Sequence, residues 1–165
     1  MGKGIIDNMK QLEKATFGAG CFWGVEEAFK HVGGILNTEV GFMGGTVKNP
    51  TYIQVCNGKT KHAEVVYLEY DPKKVSYQEL LDKFFDVHDP TQLNRQGLDV
   101  GNQYRSIIFY YTPEQEKLSK ETINELNESG KYDKEVVTVV EKAEPFYRAE
   151  EYHQGYLEKR NLKVC

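Results

Sequence analysis

The stretch Gly18-Ala19-Gly20-Cys21-Phe22-Trp23-Gly24 places a cysteine and two aromatic residues where a strand is predicted to turn into a helix. Residues 14–17 before it form the strand, and apolar residues recur after it at helical spacing, namely Val25, Ala28, Phe29 and Val32. We therefore expect Cys21 in the first turn of the helix, where unpaired N–H groups and the helix dipole favour negative charge. A thiol in such a position has a larger thiolate fraction, and the thiolate is the reactive form.

Two other interpretations of this stretch stay open. Many cysteines are small buried hydrophobic residues, and a glycine turn between strand and helix is common in α/β chains. The glycines at 18, 20 and 24 also approach a dinucleotide fingerprint, with Glu39 about where an acid would bind the ribose. Against this nucleotide-binding hypothesis, Cys21 to Trp23 fill the space that a pyrophosphate needs, and no further βαβ units follow.

Length and composition predict one globular domain. The chain has 165 residues, enough for a substantial core, and 21 basic against 25 acidic residues give a net charge of −4. This charge disfavours binding to nucleic acid or an anionic membrane, and no apolar run reaches the ~20 residues of a membrane helix. The amino terminus lacks the features of a secretion signal, so we expect a cytoplasmic protein, and a monomer.

The three cysteines are Cys21, Cys56 and Cys165, and their spacing matches neither a C-x-x-C pair nor a zinc site. Separated thiols in a reducing compartment favour catalysis or redox chemistry over a structural framework. We expect a catalytic core over residues 14–160 and a mobile tail over 161–165, because terminal residues are usually mobile. A mobile tail would allow Cys165 to meet another sulfur.

The remaining pattern predicts a two-layer α+β sandwich with a mixed central β-sheet. Strands are expected at residues 14–17, 35–42, 63–70, 104–111 and 136–140, and an irregular loop at 91–103. Tyr52 to Cys56 is expected to form one helical turn. Longer helices are expected from Ser76, which forms a capping box with Glu79, to a stop at Pro90, from Thr112 to Gly130, and over 149–160.

Glu64 is the best candidate for an acid that acts with the thiol. Strand alternation places it on the same face as Val66, Leu68 and Tyr70, and a carboxyl on an apolar face tends to stay protonated. The alternative is a solvated carboxylate at the edge of the strand. His62-x-Glu64 also matches part of the zinc deaminase signature, but no Pro-Cys-x-x-Cys follows, so we expect no metal.

Tyr52 and Tyr104 each lie where a loop meets an element, and a phenol in such a place can donate to a developing oxyanion. Phe22 and Trp23 could form an apolar seat for a small substrate group. Asp99 lies in the same glycine-containing loop as Tyr104, where it could equally form an Asx turn. Most of the eleven tyrosines are expected to be packing residues, His88 and His153 to be core histidines, and Cys56 to be inert.

Seven short motifs, taken together in this order, resemble the A-type peptide-methionine sulfoxide reductases. They are GCFWG at 20–24, NPTY at 49–52, VCNG at 55–58, HAEV at 62–65, HDPTQ at 88–92, NRQG at 94–97 and DVGNQYRS at 99–106. The resemblance extends from residue 17 to about 153. Where the family often has a tyrosine before the glycine pair of the second loop, this chain has Phe42-Met43, which affects the pocket wall.

The resemblance implies reduction of the S epimer of methionine sulfoxide, with Cys21 as the nucleophile. It implies that Glu64, with Tyr52 and Tyr104, binds and protonates the sulfoxide oxygen. The remaining roles that it implies are an S-methyl site at Phe22 and Trp23, a substrate-orienting Asp99 and a resolving Cys165. The implied reductant is thioredoxin, and no metal or organic cofactor is implied.

A thiol hydrolase is the alternative enzyme. It would pair Cys21 with one of the four histidines, and Cys-Phe-Trp superficially resembles the nucleophile region of cysteine proteases. The sequence offers no convincing histidine–amide partnership for it.

Overall fold

The computed structural model describes residues 11–162, in which a six-stranded sheet carries helices on one face. The strands are β1 (Glu13–Ala19), β2 (Ile35–Met43), β3 (Ala63–Tyr70), β4 (Arg95–Gln96), β5 (Asp99–Val100), β6 (Ser106–Tyr110), β7 (Val139–Lys142) and β8 (Tyr147–Arg148). The α-helices are α1 (Phe22–Lys30), α2 (Tyr52–Cys56), α3 (Tyr77–Asp86), α4 (Pro113–Ser129) and α5 (Tyr156–Lys159). Short 3₁₀ turns cover Asn102–Tyr104 and Glu151–His153.

The sheet is mixed, in the order β7-β6-β1-β3-β2-β8. Adjacent strands of this sheet are antiparallel, except β6 and β7, which are parallel. The strands β4 and β5 form a separate antiparallel hairpin. The larger hydrophobic cluster packs α1, α3 and α4 against one face, and a smaller one covers the other face around Val65, Ile107 and Phe109. These observations confirm the predicted two-layer α+β fold.

The central strand β3 has the predicted bounds and holds the candidate acid in the core. It pairs with β1 on one side and β2 on the other, with Phe17 opposite Val66 and Phe42 opposite Glu64. Glu64 is 1% exposed, and Val66, Leu68 and Tyr70, with which it shares a face, are fully buried in the cluster under the helices. The hypothesis of a solvated edge carboxylate is therefore wrong.

Local sequence signals correctly predict the starts of α2, α3 and α4 and the end of α4. Ser76 and Glu79 form the predicted capping box of α3, and Thr112 caps α4, which ends at a left-handed Gly130. The predicted turn at Tyr52–Cys56 is α2, where Thr51 forms a capping box with Gln54. Of the helices in residues 11–162, none combines the length and apolarity needed to cross a bilayer.

Five predictions about the elements need correction. The helix α3 ends at Asp86, before Pro90, and Tyr104 lies in a 3₁₀ turn ahead of β6. The loop 91–103 contains the hairpin β4–β5, whose two-residue strands are too short to show alternation. The strand expected at 136–140 begins at Val139, because residues 136 and 137 hydrogen-bond to the Asn127 side chain and the Pro90 carbonyl instead.

The helix expected over 149–160 is divided into a 3₁₀ turn and the short helix α5. Gly155 between them has φ +61°, in the left-handed region, which interrupts the helix. The preceding Gln154 reaches β2, where its side chain bonds to both the N–H and the carbonyl of Val40 at 2.8 and 2.9 Å. These tertiary bonds favour the break over a continuous helix.

His88 makes the stability of the fold depend on pH. Burial lowers its pKa from 6.5 to about 4, and its Nδ1 donates to the Phe84 carbonyl while its Nε2 accepts from Ser106 Oγ, both at 2.7 Å. Between these pH values the imidazole is protonated in the unfolded chain but neutral in the native state. The free energy of unfolding therefore falls as the pH is lowered. We expect this group to remove up to about 3 kcal/mol of unfolding free energy between pH 6.5 and pH 4.

Urea unfolding of the wild type and of His88→Asn at pH 7, 6, 5 and 4 measures this contribution. The variant should show the shallower loss of stability towards low pH. His31→Asn is the matched control, because the His31 side chain is 75% exposed, and it should keep the wild-type slope. Equal slopes for wild type and His88→Asn would contradict the prediction.

Candidate active site

Cys21 lies at the junction of β1 and α1, as its N-cap residue rather than in the first helical turn as predicted. Its backbone is extended (φ −59°, ψ 121°), and its side chain does not cap the helix. The preceding Gly20 has φ +96°, and a Cβ there would lie 2.8 Å from Gln96 Cβ in β4. Glycine is therefore required for the chain to turn under the hairpin and present Cys21 at the start of α1.

Gln96 also argues against nucleotide binding at this turn. Its side chain occupies the space directly over Gly20, held by hydrogen bonds with the Asp89 N–H and carbonyl at 3.0 and 2.9 Å. A pyrophosphate would need this approach to the backbone. The dinucleotide hypothesis is therefore not supported by the geometry of the turn.

Glu64 reaches the start of α1 from the central strand. The Phe22 N–H, directly after Cys21, donates to Glu64 Oε1 at 3.2 Å. At Gly18, two residues before the turn, a Cβ would lie 3.1 Å from the Glu64 carbonyl oxygen and 2.8 Å from the Ile107 side chain. Close approach of β1 and β3 thus brings a buried carboxyl next to the residue that bears the thiol.

Tyr52 and Tyr104 gather around the same carboxyl. Burial is the largest cause that raises the pKa of both phenols, and Glu64 in its ionised form would raise both further. A hydrogen bond to the Cys56 side chain also raises the pKa of Tyr52, and the charges of Asp99 and Cys21 contribute to that of Tyr104. Both tyrosines therefore stay protonated at neutral pH and are able to donate hydrogen bonds.

Aromatic rings form one wall beside Cys21. The Phe22 ring is 1% exposed and lies 5.7 Å from Phe42 and 6.1 Å from Tyr52, centroid to centroid. Trp23 is only partly buried, with its ring 6.3 Å from that of Tyr52. Phe22 is thus the buried part of this apolar wall, and Trp23 is its accessible part.

Residues of the carboxy-terminal segment hydrogen-bond to the Trp23 side chain and stack on it. The indole Nε1–H donates to His153 Nδ1 at 2.9 Å, and Tyr156 stacks on the indole at 3.8 Å with planes 6° apart. The Arg160 guanidinium in turn lies 3.6 Å from the centre of the Tyr156 ring. The sequence predicts His153 only as a core histidine and gives no sign of this partner, because 130 residues separate His153 from Trp23.

One other predicted site residue, Asp99, stands apart from this cluster. Asp99 is exposed in β5 of the hairpin, and its link to the site is its charge acting on Tyr104. Cys165 lies outside the described residues. Cys56, expected to be inert, is exposed and hydrogen-bonded to Tyr52, while its carbonyl accepts a hydrogen bond from Gln103 Nε2 at 3.4 Å.

The histidines do not favour the hydrolase. His62 accepts from the Gly45 N–H through Nδ1 and donates through Nε2 to the Val47 carbonyl, so it fixes the loop after β2. His88 is engaged with Phe84 and Ser106, and His31 lies 2.9 Å from Glu27. Within residues 11–162, no three metal-binding side chains come close enough together to hold an ion.

The fold and the site define a class: an α+β protein with a thiol at a strand–helix junction, a buried carboxyl beside it, and protonated phenols around that carboxyl. Comparison with known proteins agrees with this class. The model of the family "Peptide methionine sulfoxide reductase" matches residues 13–165. The chain belongs to this family, in its A type, and is an enzyme of the peptide-methionine (S)-S-oxide reductase class.

Individual relatives match over most of their length. Peptide methionine sulfoxide reductase MsrA of Methanoculleus marisnigri is 60% identical over 156 residues, which are 94% of this chain and 95% of the relative. The crystal structure of reduced Mxr1 from Saccharomyces cerevisiae is 37% identical with a TM-score of 0.84, covering 92% of this chain and 87% of Mxr1. Mxr1 in complex with Trx2 is also similar, at 27% identity and a TM-score of 0.61, over 89% of this chain and 86% of that one.

Proposed function

We propose that this enzyme reduces the S epimer of methionine sulfoxide, free or within peptides and proteins, and so repairs oxidised methionine. The observation that carries the proposal is the hydrogen bond from the Phe22 N–H to Glu64 Oε1, which fixes a buried carboxyl next to Cys21. The family of the chain and the names of its relatives support the substrate.

In the first step the Cys21 thiolate attacks the sulfoxide sulfur while Glu64 donates a proton to the oxygen. A protonated oxygen is the better leaving group, which is why a neutral acid is needed opposite the thiolate. A bond forms between Cys21 Sγ and the substrate sulfur as the S–O bond breaks and the protonated oxygen departs as hydroxide. The hydroxide then adds to Cys21 Sγ and this S–S bond breaks, so that methionine leaves and Cys21 becomes a sulfenic acid. The sulfoxide sulfur gains two electrons, Cys21 loses two, and water then returns the proton to Glu64.

Substrate recognition uses the groups around this pair. Phe22 and Trp23 receive the S-methyl group on their apolar faces, which is consistent with the buried and half-buried positions of their rings. Tyr52 and Tyr104 donate to the sulfoxide oxygen, since both phenols are protonated at neutral pH. Asp99, on the hairpin, orients the rest of the substrate.

The second step regenerates the thiol. The Cys165 thiol condenses with the sulfenic acid to form a Cys21–Cys165 disulfide and water, and a thioredoxin then reduces that disulfide by thiol exchange. The structure of yeast Mxr1 in complex with Trx2 supports a thioredoxin as the reductant. Neither step uses a metal or an organic cofactor.

Incubation with separated S and R epimers of N-acetyl-methionine sulfoxide and dithiothreitol tests the function, with chromatography to quantify N-acetyl-methionine. We expect rapid reduction of the S epimer and almost none of the R epimer. Reduction of neither epimer, together with hydrolysis of peptide or ester substrates, would replace the reductase by the thiol hydrolase.

Glu64→Gln tests the acid. The amide keeps the size of the side chain and can still bind the sulfoxide oxygen, but it does not transfer a proton. We expect kcat to fall by about a hundredfold to a thousandfold, with a much smaller change in KM. Glu69→Gln on the same strand is the matched control, because Glu69 is partly exposed and bonded to Asn37 and Tyr67, and its kcat should stay within about twofold of the wild type. A similar kcat for both variants would move the proton donor elsewhere.

A further inference from the structure

The hydrogen bond between Trp23 and His153 fixes the protonation state of a buried imidazole. An indole N–H is only a donor, so at 2.9 Å the His153 Nδ1 must be the acceptor. The neutral ring therefore carries its proton on Nε2, as one tautomer of the two. His153 is 1% exposed, so this arrangement does not exchange freely with water.

The His153 ring contacts the aromatic wall on more than one side. Its centroid lies 4.3 Å from that of Tyr52 and 5.4 Å from that of Phe22, two other rings of this wall. Tyr156 fixes the plane of the indole by stacking, but stacking leaves the ring able to slide and rotate in that plane. The directed Nε1–H bond to His153 removes this remaining freedom.

We propose that neutral His153 is a positioning residue, which holds the indole of Trp23 in the orientation that receives the S-methyl group of the substrate. This inference rests on the proposed function only for the role of Trp23. Protonation of His153 turns Nδ1 into a donor, so the indole N–H loses its acceptor and the wall loses its fixed orientation. Substrate affinity then becomes sensitive to pH through a residue that does not touch the reacting atoms.

The surroundings of His153 determine the direction of this sensitivity. Burial is the main cause that lowers its pKa, Glu150 opposes the shift, and Arg160, the C-cap residue of α5, adds to it. Among residues 11–162, the other titratable side chains stacked near the ring are those of Tyr52 and Tyr152, and Tyr156 lies on the far side of the indole. The imidazole is therefore neutral at pH 7 and becomes charged only below the ordinary histidine range.

Fluorescence measures this pair directly, because Trp23 is the one tryptophan of the chain. A charged imidazole in contact with an indole quenches its emission, so titration of the wild type from pH 8 to pH 4 should show a quenching transition below pH 6.5. The His153→Asn variant should lack the transition, since its Oδ1 can take the place of Nδ1 as acceptor but does not titrate. His153→Leu should lack both the transition and the acceptor.

Kinetics then separates positioning from a merely structural role. We expect His153→Leu to raise KM for N-acetyl-methionine sulfoxide about fivefold, the loss of one hydrogen bond, with kcat within about twofold of the wild type. His153→Asn should restore the wild-type KM at pH 7. The wild-type KM should rise as the pH falls through the fluorescence transition, whereas that of His153→Asn should change less.

Three results would overturn the inference: no quenching transition in the wild type, equal KM values for the Asn and Leu variants, or the same pH dependence of KM in wild type and His153→Asn. Thermal unfolding of each variant identifies any loss of fold, and the wild-type titration needs no substitution. If the chain reduces no sulfoxide, the proposed function fails, but the fluorescence titration still tests the Trp23–His153 pair.

Discussion

Replacement of Cys21 by serine will abolish the reduction of methionine sulfoxide. A serine hydroxyl is barely ionised at neutral pH. Its oxygen also cannot accept the sulfoxide oxygen in the way that the Cys21 sulfur does when it becomes a sulfenic acid. We expect the turnover of the S epimer with dithiothreitol to fall by at least about a thousandfold. The junction itself should survive, because the Cys21 side chain does not cap α1 and the turn depends on Gly20.

Cys56→Ser is the matched control for this experiment. It makes the same change of sulfur to oxygen at an exposed position, and a serine hydroxyl can still take part in a hydrogen bond with Tyr52. We expect its turnover with dithiothreitol to remain within about threefold of the wild type. Retained reduction by Cys21→Ser, or a comparable loss in Cys56→Ser, would assign the nucleophile to another residue.

Replacement of Cys165 by serine will confine the enzyme to a single turnover when thioredoxin is the only reductant. The first step needs Cys21 and the acid, so one equivalent of methionine should form at an unchanged rate. The sulfenic acid then lacks its partner thiol and should accumulate, and dimedone should trap it on Cys21. Quenched-flow measurement of methionine and mass spectrometry of the dimedone adduct give both quantities.

Thioredoxin-driven cycling and the position of the disulfide complete this test. In the wild type after one turnover, peptide mapping should find the Cys21–Cys165 bridge, which is absent from Cys165→Ser. Dithiothreitol should restore cycling of the variant, since an external thiol can attack the sulfenic acid directly. Normal cycling of Cys165→Ser with thioredoxin, together with its loss in Cys56→Ser, would show that Cys56 is the resolving thiol.

The parts of the fold that depend on local chemistry could be predicted from the sequence. The bounds of β3 follow from a run of Val and Tyr closed by Asp71-Pro72, and the start of α3 from a Ser-x-x-Glu box. The end of α4 follows from Gly130. Each of these signals lies within a few residues of the feature that it specifies.

The parts of the fold that depend on tertiary contacts could not be predicted from the sequence. The break at Gly155 follows from the attachment of Gln154 to β2, more than a hundred residues earlier in the chain. The strand β7 begins only at Val139, because residues 136 and 137 hydrogen-bond to the Asn127 side chain of α4 and to the Pro90 carbonyl. The valine-rich sequence alone is compatible with a strand that begins at residue 136 or at residue 139. Strands of two residues, such as β8, carry too little pattern to be recognised.

The candidate site likewise contains residues that the sequence predicts and a contact that it does not. Cys21 and Glu64 stand out by residue type and by their place on an element, and the structure brings their segments together through Phe22. The support of Trp23 by His153 has no such signal, because it exists only once the 3₁₀ turn that carries His153 packs against α1. A histidine on an apolar helical face is indistinguishable in sequence from one that merely fills the core.

Glu64 lies on a strand that is hydrogen-bonded to neighbours on both sides, whereas Tyr52, Tyr104 and Asp99 lie on short elements nearer the surface. Amide exchange in native proteins is slowest in such central strands, and peripheral turns open at a much lower free-energy cost. In the proposed function, a polypeptide substrate can therefore displace the hairpin and the turns around the site without disturbing the carboxyl. In the proposed mechanism, the proton donor therefore belongs to the rigid frame of the molecule, and the groups that bind the substrate belong to its adaptable rim.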